Sequence, residues 1–189
     1  MFRKLCRSLV VLTFLALPAA AGPSGYHLVK TVPLAGDTFW DYLGFDDSNR
    51  HLFVTHGTHV MVIDADTLQV SGDIPDTPGV HGVAVAADLG RGFTSNGMSN
   101  SVTVFDLKTL KTIGTYPTGM GPDSITYDPV SHRVFTLDGK GNDATALDGA
   151  TGAIVKSIPL DGRPETAVAD GLGHIFANIE STSEIVKID

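Results

Sequence analysis

Four polar residues recur at one register of this chain: Asp41, His81, Asp123 and Glu165, separated by 40, 42 and 42 positions. The residue type varies while the polarity persists. Three carboxylates and an imidazole brought to one point repel one another, so such a set either holds a proton above the usual carboxylate range or binds a cation. The competing reading is that each side chain bonds the backbone amides of its own loop. Trp40, the single tryptophan, adjoins Asp41 and reads either as the wall of a ligand pocket or as packing between neighbouring elements. A small ligand, a protein partner or a divalent cation are the occupants this set suits.

Other polar positions carry less chemistry. His56-Gly57-Thr58-His59 places two imidazoles three residues apart on a loop. Zinc wants three or four ligands and no third is fixed nearby, so they read as loop histidines. Asn96 and Asp138 take the His56 position in later repeats and suggest a polar rim. Asp64, Asp106 and Asp148 each stand three residues before a threonine, Thr67, Thr109 and Thr151. An aspartate there bonds the amides of its own turn and the threonine reinforces it, which is a structural role. There is no Gly-x-Ser-x-Gly, Walker loop, dinucleotide fingerprint or haem-attachment motif, so an enzyme on this chain would have to use scattered loop residues.

The elements that must position these residues follow from a repeat. The pairs Ile63-Asp64, Phe105-Asp106, Leu147-Asp148 and Ile188-Asp189 lie 42, 42 and 41 positions apart, and Phe53, Phe93, Phe135 and Phe176 keep step at 40, 42 and 41. Within one period, 82–86, 91–95, 101–105 and 112–116 are short β-rich segments separated by turn residues. A four-stranded antiparallel sheet cannot bury both faces alone, and a period of ~40–45 residues suits propeller blades stacked face to face. The expectation is an all-β propeller of about four blades, near 40–79, 80–121 and 122–163, with 164–189 incomplete. Val29 to Leu34 matches Val155 to Leu160, so 26–36 reads as the outer strand of a preceding or closing blade. Because the innermost strand of a blade begins at a mouth of the central channel, the four polar residues are expected there.

Leu52-Phe53-Val54-Thr55-His56, Gly92-Phe93-Thr94-Ser95-Asn96 and Val134-Phe135-Thr136-Leu137-Asp138 resemble the Tyr-Val-Thr-Asn signature of YVTN-repeat, YncE-like propellers. The resemblance spans about Leu28 to Asp189. It implies a seven-bladed ring, of which four repeats would form an open arc. The exposed face of blade four would then be an apolar patch that invites self-association. The group also brings an association with single-stranded DNA.

Arg3, Lys4 and Arg7, the apolar run Leu9 to Leu17 and the small residues Pro18 to Ala21 read as a secretory signal over residues 1–21. That run is well short of the ~20 residues of a spanning helix. The expected address is periplasmic or secreted. Cys6, the only cysteine, would leave with the signal, which excludes a disulfide framework and thiolate chemistry. Of 13 basic residues 10 remain against 21 acidic ones, a net charge of −11. Nucleic-acid binding needs clustered Lys and Arg, so charge opposes the DNA association. The expectation is an exported binding or interaction scaffold holding a ligand or cation at the channel mouth. The alternative is a metal-dependent hydrolase of lactonase type, in which the same cluster holds a cation that activates water.

Overall fold

The computed structural model describes residues 25–36 and 39–189. The signal segment and Cys6 lie outside them. The chain divides into two units, residues 1–34 and 35–189. In the first, residues 26–34 form no strand, and Tyr26, Leu28 and Val29 are exposed. The expected outer strand is thus not formed there: a strand needs a neighbouring edge for its N–H and C=O groups, and the described residues of this unit contain none. No helix among the described residues is long and apolar enough to cross a membrane.

Residues 35–189 fold into four antiparallel sheets, each a meander of consecutive strands. The first holds β1 (Trp40–Asp46), β2 (His51–His56), β3 (His59–Asp64) and β4 (Val70–Ile74). The second holds β5 (Val80–Ala86), β6 (Arg91–Asn96), β7 (Ser101–Asp106) and β8 (Thr112–Pro117). The third holds β9 (Pro122–Asp128), β10 (Arg133–Asp138), β11 (Asp143–Asp148) and β12 (Ile154–Pro159). Three strands make the fourth: β13 (Pro164–Ala169), β14 (Ile175–Ile179) and β15 (Glu184–Ile188). This is the all-β blade architecture expected from the period.

The core lies between sheets rather than within them. Phe53, Val60, Val62 and Ile74 of the first blade bury against Val80, Phe105 and Leu107 of the second. The Phe53 and Phe105 rings meet edge to face at 5.3 Å, a preferred aromatic geometry. A Cβ on Gly92 would stand 2.1 Å from the Phe105 ring, so only glycine admits that ring. Middle strands are packed on both sides, which is why β6 and β7 read as near-continuous buried runs without alternation.

The blades form an open arc. Val83 and Val85 on β5 pack against the first interface, whereas their counterparts Leu43 and Phe45 on β1 are 63% and 46% exposed. At the other end, Val168, Phe176 and Ile185 line an apolar groove on the last sheet. The inner strands β1, β5, β9 and β13 follow one another around a shared groove lined by Tyr42, Gly82, Ser124 and Thr166.

Candidate functional site

Each of the four recurrent polar residues sits in a β-bulge at the start of an inner strand. On β1 the pairing passes from Trp40↔His56 to Leu43↔Val54, so Asp41 and Tyr42 face Thr55 alone. His81 and Gly82 likewise face Ser95, Asp123 and Ser124 face Leu137, and Glu165 and Thr166 face Asn178. A bulge sets two residues against one, bends its strand and re-aims a side chain. It also strands backbone groups, and the opposing residue often satisfies them. The Thr55 hydroxyl donates to Tyr42 O at 3.0 Å, and the Thr166 N–H donates to Asn178 Oδ1 at 2.9 Å.

Ser95 does most. Its buried hydroxyl accepts from Gly82 N–H at 3.0 Å and donates to Asp123 O at 2.5 Å. One hydroxyl therefore ties the residue after His81 to the backbone of Asp123 in the next blade. Close contact is enforced here, since a Cβ on Gly97 would stand 2.8 Å from His81 Nε2.

The bulges bring three of the four residues together. His81 Nδ1 lies 2.7 Å from Asp41 Oδ2 and 3.7 Å from Asp123 Oδ1. One ligand atom from each of the three falls within 4.8 Å of the others, the one such group among the described residues. All three side chains are about one third exposed, reachable from solvent yet partly desolvated. Glu165 stands apart from this trio, on the wall of a cavity of about 280 Å³ that His81 and Asp123 also line. Trp40 is not among that cavity's lining residues; its ring packs edge-on against His56 at 3.8 Å. His56 and His59 have ring centroids 4.9 Å apart, and His59 faces Asp73 at 3.7 Å.

Electrostatics mark the start of the inner strands as an acidic field. Burial raises the Asp123 carboxyl above its ordinary value; His81 opposes that rise and the Asp41 charge adds to it. Glu165 is raised by burial, by its hydrogen bond with Glu180 and by the Asp123 charge. The Tyr42 phenol is raised by burial and then by Asp123, Asp41 and Glu165. Half-desolvated carboxylates sharing one imidazole can hold a cation or an ammonium group.

The remaining polar positions behave structurally. The carboxylate of Asp106 accepts from the Thr109 N–H and hydroxyl at 2.7 and 2.8 Å and from the Lys108 N–H at 3.1 Å. Asp64 and Asp148 do the same in their turns. Those bonds hold all three below the usual carboxylate range. Asn96 and Asp138, expected on a polar rim, are instead buried. Asn96 bonds Thr94 at 2.7 Å and Thr103 at 2.9 Å, and Asp138 bonds Thr136 at 2.9 Å and Thr145 at 2.6 Å.

Lys140 and Arg163 were not among the residues the repeat picked out, yet they share the cavity wall with His81, Asp123 and Glu165. A signal was present. Two positions before the recurrent polar residue, Gly79 and Gly121 adopt φ of 68° and 64°, and Arg163 replaces that glycine in the fourth repeat. Ser95 leaves no such trace, because the bulge that it completes is not a property of spacing.

No family model and no curated protein matches this sequence. Solved structures do. Hydrazine synthase of Kuenenia stuttgartiensis superposes with a TM-score of 0.71 at 20% identity, over 78% of this chain and 45% of that one. The WD40 β-propeller domain of Doa1 gives 0.68 at 13% identity, over 82% and 52%. The WD40 repeats of RRP9 give 0.69 at 8% identity, over 82% and 52%. The fold is therefore that of a β-propeller, and the chain spans about half the length of the solved chains it matches.

Proposed function

We propose that this chain is an exported propeller scaffold that binds a divalent cation at the channel mouth through Asp41, His81 and Asp123. The observation that carries the reading is the convergence of one ligand atom from each of three successive inner strands within 4.8 Å. Two carboxylates and an imidazole are a ligand set suited to zinc and similar ions, and the raised carboxyl of Asp123 is what burial beside a second carboxylate produces before a cation arrives. The basic, apolar and small-residue segments of residues 1–21 support export. The strongly acidic balance of the rest of the chain favours a cationic ligand over nucleic acid.

Isothermal titration of the purified chain with Zn²⁺ and with Ca²⁺ tests the site. One equivalent should bind, and Asp123→Asn should weaken binding by about 100-fold, a loss of about 2.7 kcal/mol. Affinity undiminished from the parent chain in both Asp123→Asn and Asp41→Asn, with circular dichroism unchanged, would sink the assignment.

A further inference from the structure

The cavity at the mouth is not uniformly acidic. His81, Asp123 and Glu165 form one part of its wall, and Lys140 and Arg163 contribute cations to the same wall. Lys140 is held in place from below: its side chain crosses Gly121, where a Cβ would stand 2.9 Å from Lys140 Cγ and Cδ, and its N–H donates to Met120 O at 3.1 Å. Arg163 is tied by its N–H to the Ser181 hydroxyl at 2.8 Å and by its guanidinium to Glu180. Lys140 forms no ion pair among the described residues.

Three protein ligands leave a divalent ion with at least one open position. Two of the three ligands, His81 and Asp123, line the cavity of about 280 Å³, so a group that completes the ion's shell from that side sits in it. Water needs no cationic wall. An oxyanion does, and Arg and Lys are the side chains that recognise one, Arg through its planar fork and Lys as a point charge. Resting on the cation reading above, we infer that the mouth takes a small carboxylate together with its cation: one carboxylate oxygen completes the metal's coordination while Lys140 meets the remaining charge, Arg163 standing on the same wall with its guanidinium already bonded to Glu180. Cation and carboxylate then bind with positive coupling, each raising the affinity of the other by the same factor.

Co²⁺ serves as the probe, because its visible spectrum reports its coordination shell. The purified chain is loaded with Co²⁺ and titrated with succinate. A saturable spectral change is expected, together with at least fivefold tighter Co²⁺ binding at saturating succinate. Lys140→Met should need about tenfold more succinate while holding Co²⁺ at least as tightly, since a positive charge has left the ion's surroundings. The opposite directions separate loss of the anion contact from general damage, and Lys140→Arg should restore the succinate response. Co²⁺ binding without any spectral or affinity response to succinate overturns this inference and leaves the cation site standing. A failure to bind Co²⁺, Zn²⁺ or Ca²⁺ at all overturns both.

Discussion

Carboxylates recur at two registers of the same repeat, and the fold treats them in opposite ways. At the turns between the third and fourth strands, Asp64, Asp106 and Asp148 each collect local donors and are held below the ordinary range. At the starts of the inner strands, Asp123 and Glu165 lose water, face like charges and are pushed above it. The identical residue at the turn register goes with identical local bonding, and the varied residues at the starts of the inner strands pair with one another across blades. Position in the period says where a carboxylate lies. Its shift says whether it is already served by its own backbone.

Asp138 sharpens the contrast most, because it is buried like a core residue yet carries a carboxyl raised to about 6 by burial. Asn96 fills the same position one blade earlier with matching threonine partners. Because the folded-state value lies above the unfolded one, the proton-bound form favours the fold, and stability is lost as pH rises from about 4 through about 6. Keeping Asp138 ionised at pH 7 costs on the order of 3 kcal/mol. Asp138→Asn should therefore stabilise the chain at pH 7 by about that amount, with the gain vanishing below about pH 4, in urea unfolding followed by fluorescence. A difference between the two proteins that does not vary with pH would break the comparison.

A smaller effect is expected from the bulge clamp. Ser95→Ala removes the hydroxyl that joins Gly82 N–H to Asp123 O, and both its hydrogen bonds with it, so the His81–Asp123 spacing should relax and Zn²⁺ affinity fall by about tenfold, or about 1.4 kcal/mol. The His81 ring nitrogen resonances, followed by NMR, should move in Ser95→Ala but not in a turn variant. Unchanged His81 resonances in Ser95→Ala would show that the clamp does not set the site.

The smallest effect belongs to the turns. Asp106→Ala should lower the thermal midpoint by only about 3 °C and leave Zn²⁺ affinity unaltered. The depressed turn aspartates contribute stability above their unfolded values that is lost as pH falls through the folded ones, opposite in sign to Asp138. A turn variant that weakens cation binding would collapse the distinction between the two registers.

The period, the short strands between turn residues and the Asp-to-Thr turns were legible in the residues, because each rests on contacts within a few positions. A turn aspartate three residues before its threonine needs no distant partner, and Phe53, Phe93, Phe135 and Phe176 mark the same strand by spacing alone. That register also located Asp41, His81, Asp123 and Glu165 at the start of the inner strands. It could not say which of them meet. Tertiary structure decided that through the bulges, which turn the side chains out of the ladder, and through Ser95, which joins one blade to the next. It likewise buried Asn96 and Asp138, sent Trp40 against His56, and added Lys140 and Arg163 to the cavity wall. The physical reason is range: hydrogen bonds inside a turn are written in consecutive residues, whereas the distance between His81 and Asp123 is set by how two sheets pack.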